Sequence, residues 1–197
     1  MAPMSWPEGV TLQGRHASLR LLSHADAPAL ALAVQEGDLW KLWVTRVPAP
    51  EEMEAEIARR LGLHEKGSMT PYAILDAQGT PVGMTSYMNV DPVNRRVEIG
   101  STWIAQRVQR TPLNTECKFL LLQRAFEALD CLAVEFRTHR LNFTSRRAIE
   151  RLGAQLDGIL RHHQRLADGT VRDTAVYSIT APEWPTVRRH LQAKLQH

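Results

Sequence analysis

Cysteine is nearly absent: Cys117 and Cys131 are the only two in 197 residues. They show neither paired spacing nor histidines at metal-ligand intervals. The chain is therefore expected to hold no metal and no disulfide framework, and to work in the reducing cytoplasm. Long apolar runs are missing too, since none approaches the roughly 20 residues that cross a bilayer. Met1 to Val10 has no basic segment leading into an apolar core, which predicts a soluble chain with no leader to remove. The glycine-rich phosphate loop ending in Gly-Lys-Ser/Thr and the Gly-x-Gly-x-x-Gly fingerprint are both absent, so ordinary nucleotide chemistry is not signalled. No repeat, low-complexity tract or linker divides the chain. One domain over residues 1–197 is expected, large enough to bury a core with its 44% hydrophobic content. Charge of one sign is also modest, a net +3, far from the concentrated field of a protein that tracks duplex DNA. A small anionic ligand suits that charge as well as a polymer does, and neither DNA nor a membrane is an expected partner.

What is present is a sequence of changing hydrophobic period. His16 to Leu22 alternates as a strand does, and Ser23 with Asp26 caps an Ala/Leu-rich helix running to Val34. Met53, Ile57 and Leu61 recur at i+4 within Glu51 to Lys66, a second amphipathic helix with acidic residues in its first turn. Strands over Pro71 to Leu75, Val82 to Met88 and Arg96 to Ile104, separated by polar turns, read as an antiparallel meander. Phe119, Leu122, Phe126 and Leu129 then step by three and four, marking a helix from about Leu113 to Leu129. The strand Ala133 to Thr138 follows, so helix and strand look like a crossover unit. A shorter helix from about Thr144 to Leu152 stops at Gly153, and strands Ile159 to Leu166 and Val171 to Ile179 straddle the Asp168-Gly169 turn. A last helix, Pro182 to Leu195, carries Trp184, Val187 and Leu191 on one stripe. The expected class is mixed α/β, with a mostly antiparallel twisted sheet of about seven strands flanked by helices. The core covers about residues 16–179.

The passage from the Arg96 to Ile104 strand through a polar loop into an apolar helix is a candidate anion site. Free N–H groups at a helix start point outward, and the dipole adds roughly half a positive charge. A diphosphate would sit well on Arg110 to Thr115. The order of elements, together with Trp103-Ile104, Gln109-Arg110-Thr111-Pro112-Leu113, Asn142-x-x-Ser145 and Leu152-Gly153-Ala154, resembles the GNAT acetyltransferases, and especially the branch that acetylates N-termini of ribosomal proteins. The resemblance covers about His16 to Ile179. It implies a sheet splayed between the fourth and fifth strands of that fold, acetyl-CoA as co-substrate, and a primary amine as acceptor. Carried over, Trp103 and Ile104 would pair with the pantetheine arm, and Gln109 to Asn114, with Thr115 at the helix start, would cradle the phosphates. Asn142 and Ser145 would lie beside the thioester. Arg110 and Pro112 occupy the two positions where the family's loop has glycine. Pro112 has no N–H to donate, and a guanidinium at 110 offers a charge-assisted substitute.

Acetyl transfer needs a neutral amine, a stabilised oxyanion and a protonated leaving thiolate. Regular alternation would place Glu98, Gly100 and Thr102 on one face, aiming Glu98 into the cleft as the candidate base; an exposed or ion-paired strand glutamate is the competing reading. Ile149 stands where many GNAT enzymes have an acidic tyrosine, so Ser145 is the candidate acid; a serine satisfied by the helix's first turn is its bland alternative. Gln164 stands where the ribosomal-protein branch has a glutamate base. His162 and His163 are strand neighbours expected on opposite faces, and Cys117 is assigned no role. Among Arg137, Arg140, Arg146, Arg147 and Arg151, one is expected near the 3'-phosphate of CoA, against the reading that all five form a solvated face. Trp40 and Trp43, with Tyr87, are expected to wall the acceptor site, with core packing the competing fate of at least one tryptophan. An apolar stripe on the last strands and the C-terminal helix suits a homodimer. The alternatives to an N-acetyltransferase are an acyl-CoA-binding sensor or structural module without turnover, and an RNA- or ribosome-binding protein.

Overall fold

The computed structural model describes residues 7–166 and 168–196, so most of the Met1 to Val10 reading lies outside the described residues. Eight strands form one sheet: β1 Leu12–Gln13, β2 Ser18–Leu21, β3 Met69–Leu75, β4 Pro81–Asp91, β5 Arg96–Ile104, β6 Ala133–His139, β7 Gln155–Arg165 and β8 Val171–Thr180. Their spatial order is β1-β2-β3-β4-β5-β6-β8-β7, antiparallel throughout except for the β5/β6 pair. The helices are α1 Ala27–Gln35, α2 Met53–Glu65, α3 Pro112–Glu127, α4 Phe143–Glu150 and α5 Trp184–Leu195. Helix α3 connects the two parallel strands, as a crossover must.

Hydrogen bonds assign the two faces. Tyr87 donates its hydroxyl to Leu121 O of α3 at 2.5 Å, whereas Ser86 accepts from Arg60 of α2 at 3.3 Å. Successive strand residues thus look to opposite sides. Tyr177 of β8 meets Arg146 and Glu150 of α4, so α3 and α4 share one face, while α2 covers the other with α1 beside it. The stripe Trp184, Val187 and Leu191 is buried and α5 packs on α3, with Trp184 stacked at 5.3 Å from Phe126. That stripe belongs to the chain's own core.

The register of β5 is the detail that shapes the site. β5 and β6 are paired only at Arg96/Ala133, Val97/Val134 and Glu98/Glu135. Beyond Glu98 they diverge, while β4 keeps hold of β5 along its other edge. A one-residue bulge at Ser101, with φ 50°, opposes Thr85. The bulge breaks the alternation expected from the sequence. Glu98 and Gly100 stay on the α2 face, whereas Thr102 turns to the α3 face, where its hydroxyl meets Thr85 at 2.8 Å and Lys118 Nζ at 2.6 Å.

Candidate functional site

The divergence of β5 from β6 leaves a wedge whose one wall is the unpaired edge of Ile99 to Ile104. Buried cations hold the bulged strand from both sides. From α2, Arg60 is oriented by Glu56 and donates Nη1 to Ser101 O at 3.1 Å. From α3, Lys118 Nζ reaches Thr102 and also Thr85 at 3.1 Å. Lys118 is buried, and burial pulls its pKa down.

At the end of β5 the chain makes one 3-10 turn over Gln106–Val108, pinned to α1 by Arg107 N–H donating to Glu36 Oε2 at 3.0 Å, and enters α3. Arg110 takes φ 61°, the left-handed conformation a glycine would adopt freely. Thr111 is the N-cap, its hydroxyl accepting from Leu113 N at 3.3 Å, and Pro112 opens the helix, where its missing N–H is least costly. Among the described residues, the N–H groups of Arg110 and Thr111 have no protein acceptor, and both residues are exposed. Asn114 Oδ1 is buried there without a partner. Gln109 folds its amide back onto Ile104 O at 3.2 Å, so it braces the loop and leaves the open amides to Arg110 and Thr111. Glu116 points away from this junction: its carboxylate accepts the N–H groups of Arg15 at 3.0 Å and Ala17 at 2.7 Å, together with that of His16. It adds no charge to the helix entrance.

The far wall of the wedge is β6 with α4. Asn142 caps α4 by accepting from Ser145 N at 3.0 Å, while Ser145 is half-buried in the first turn. Of the five arginines weighed from the sequence, Arg151 extends to the start of α3, donating to Thr115 Oγ1 at 3.2 Å. Arg146 is engaged with Tyr177, and Arg137 and Arg140 sit in ion pairs with Glu135 and Asp173.

Glu98 stands at the apex of the wedge, on the α2 face and only 5% exposed. Asn89 Nδ2 donates to it at 2.6 Å, and Arg137 Nε lies at 3.7 Å. Burial pushes the Glu98 pKa up, against the pull of these two partners. Gly100 makes the room: a Cβ there would lie 2.9 Å from Glu98 Oε1. Along the same face run Glu135, Arg137 and His139 of β6 and Thr174 and Arg172 of β8. Trp43 stacks edge-on against His139 at 5.2 Å and is 65% exposed.

Trp103 and Ile104 thus lie on the unpaired β5 edge, Gln109 to Thr115 lead into α3 with Leu113 and Thr115 buried, Asn142 and Ser145 stand at the start of α4, and Glu98 and Trp43 lie on the α2 side. Trp103 turns its indole into the core, so only its backbone lines the edge. Trp40 is half-buried against the core. Tyr87 is a correction: fully buried and bonded to α3, it walls no acceptor site. Gln164 is exposed on the edge strand β7. His162 and His163 do not simply alternate, because residues 161–163 bulge opposite Asp173. Cys117 is buried, with its thiol pushed up to about 11, which suits packing and not nucleophilic attack. No local pattern in the sequence marks Asn89, Lys118 or Arg60, polar residues that serve a bulge.

Two clefts lie elsewhere: one of about 400 Å³ near Gln13, Arg15 and Gly79, another of about 180 Å³ near Arg46 and Arg59. Among the described residues no group of three or more His, Cys, Asp or Glu could hold a metal, and no helix is long and apolar enough to cross a membrane.

Comparison with known proteins bears on this geometry. The family model described as acetyltransferase (GNAT) domain matches residues 17–155. YdaF of Bacillus subtilis (strain 168), provisionally named a ribosomal N-acetyltransferase, is 30% identical over 177 residues, covering 86% of this chain and 93% of that protein. A GCN5-related N-acetyltransferase from Brucella melitensis superposes with a TM-score of 0.87 at 31% identity, covering 96% of this chain and 86% of the other. RimJ of Mycobacterium smegmatis, solved in complex with CoA-disulfide, gives a TM-score of 0.76 at 24% identity over 96% of both chains and is similar in fold.

Proposed function

Because the chain belongs to the GNAT acetyltransferase family, we propose that it transfers acetyl directly from acetyl-CoA to a primary amine of a protein N-terminus or a small molecule. The observation that carries this reading is the separation of β5 from β6 immediately after Glu98, next to a helix start with open amides. The residues fit the cofactor. The unpaired edge Ile99 to Ile104 offers backbone groups to the pantetheine arm. The amides of Arg110 and Thr111, the Arg110 guanidinium and the α3 dipole suit the diphosphate, and Arg151 suits the 3'-phosphate. Bound acetyl-CoA would supply the activated acyl carbon.

The chain's own groups divide the remaining work by face. Glu98, on the α2 side, takes a proton from the acceptor ammonium, directly or through water, so that the amine's lone pair is free to attack. The C–N bond forms first, giving an oxyanion that backbone N–H groups on the β5 edge steady; the C–S bond then breaks as the oxyanion collapses, and the nitrogen gives up its second proton to solvent. Ser145, on the α4 side, gives its proton to the departing thiolate and recovers one from solvent. Trp43 and His139 border the acceptor's entrance. The name of YdaF favours ribosomal-protein N-termini among acceptors. Both cysteines are free and buried, which suits the reducing cytoplasm. Leu156, Ile159 and Leu160, exposed on the edge strand β7, favour a homodimer.

Incubation with acetyl-CoA and a panel of peptides and small amines, followed by free-thiol release, tests the reading. Acceptor-dependent release supports it; tight CoA binding with no release from any acceptor selects the sensor reading instead.

A further inference from the structure

On the α2 face of the sheet, the charged row beside Glu98 is almost entirely self-neutralised. Arg96 and Arg137 pair with Glu135 at 2.6 and 2.9 Å, and Arg137 Nε also lies 3.7 Å from Glu98. Arg172 is the exception. It is half-buried on β8, and among the described residues no carboxylate lies within ion-pair distance of its guanidinium. Among the described residues the guanidinium makes one hydrogen bond, from Nε to Thr174 Oγ1 at 3.0 Å, and the same hydroxyl lies 3.0 Å from His163 Nδ1. The guanidinium is thus tethered through Nε, with both Nη groups left open. Arg172 lies on the same sheet face as Glu98 and His139, two residues along β8 from Thr174, the partner of His139.

Partly burying a guanidinium that has no paired carboxylate costs free energy, which an anionic group arriving with the substrate would offset. An acceptor amine is cationic in solution, so Arg172 does nothing for the amine itself. A planar fork held at one nitrogen instead matches a carboxylate, which it can bind through two parallel N–H donors. Glu98 already faces Asn89 and Arg137, so it does not use that fork.

We propose that Arg172 determines acceptor specificity by binding a carboxylate carried by the acceptor a few atoms from the reacting amine. The inference rests on the acetyl-transfer reading of the same site. The carboxylate comes either from a free amino acid or from an acidic side chain near a peptide N-terminus. Thr174 and His163 are positioning residues for the fork.

Two acceptor pairs that differ only in charge test this: an amino acid against its amide, and an Ala-Asp against an Ala-Asn amidated tripeptide. Each is measured as kcat/KM and, independently of turnover, as calorimetric binding to the CoA-saturated protein. The expected result is at least a tenfold preference for the carboxylate member of one pair, and the pair that shows it identifies the source. Arg172→Gln should bring that preference within twofold with the KM for acetyl-CoA unchanged, and Arg172→Lys should keep part of it. Turnover without a charge preference, or a preference that survives Arg172→Gln, overturns the inference and leaves the acetyl-transfer reading intact. A binding preference without turnover upholds the inference and sinks the catalytic reading. The absence of both binding and turnover with all four acceptors overturns the inference outright.

Discussion

Arg60 Nη1 donates to Ser101 O at 3.1 Å, so a guanidinium buried under α2 holds the bulged residue from which the cleft edge of β5 runs on. Glu56 makes this arrangement possible by accepting from Arg60 Nε at 2.8 Å and from Arg59 at 2.7 Å. Burial works against the ionised Glu56, but the hydrogen bonds and charges of Arg59 and Arg60 overcome it and hold the carboxyl at about 2. A carboxyl with its folded pKa below the unfolded value stabilises the fold above the unfolded value, and that stability is lost as pH falls through the folded pKa. Glu56→Gln is therefore expected to cost about 2 kcal/mol at neutral pH. Denaturant titrations over a pH series should show the deficit shrinking from about pH 4.5 down to about 2. A deficit independent of pH would mean that Glu56 acts through packing alone.

Among the described residues, Lys118 pairs with no carboxylate and its ammonium meets two threonine hydroxyls. Its folded pKa is pulled below the unfolded value, so in the interval between the two the unfolded chain binds more protons, and stability rises with pH. Lys118→Met removes that penalty and leaves Thr85 and Thr102 bonded to each other at 2.8 Å. The variant is expected to melt at or above the wild-type temperature at pH 7, with the difference narrowing toward pH about 10. A drop of roughly 5 °C or more, about 1 to 2 kcal/mol, would show that the ammonium contributes net stability.

Glu98→Gln keeps the size of the side chain and the contact with Asn89 while removing the proton acceptor. The expected loss in kcat is roughly 100-fold with CoA affinity unchanged. Because burial raises the Glu98 pKa, wild-type activity should fall as pH drops through that raised value, and this acid limb should vanish in the variant. Unchanged kcat in Glu98→Gln removes Glu98 from the mechanism.

The helix entrance separates two roles of Arg110. Its left-handed φ of 61° costs a non-glycine residue roughly 1 to 2 kcal/mol, so Arg110→Gly should melt above Arg110→Ala. Both variants lose the guanidinium, and both are expected to bind CoA about tenfold more weakly, about 1.4 kcal/mol. Equal affinity in all three proteins would leave the diphosphate to the backbone.

Much of this was legible in the sequence because it depends on period and order. The alternation of Arg96 to Ile104, the three-and-four spacing of Phe119 to Leu129 and the turn at Asp168-Gly169 fixed strand, helix and hairpin in turn. The two-residue strand Leu12–Gln13 was too short to show a period. What the sequence concealed is set by the bulge at Ser101: one extra residue reverses every later side chain, and it moved Thr102 away from Glu98. Tyr87 misled for a related reason, since a tyrosine with its hydroxyl satisfied by a helix carbonyl reads the same in one dimension as one that lines a pocket. Nothing in the sequence marks Arg172, whose significance is that no carboxylate among the described residues pairs with it, a property of packing.

A crystal structure of the protein with CoA bound tests the central assignment most directly. The account predicts diphosphate oxygens within about 3 Å of the Arg110 and Thr111 amides, with the pantetheine arm along Ile99 to Ile104. A diphosphate seated elsewhere, as in the cleft near Gln13, Arg15 and Gly79, would contradict it.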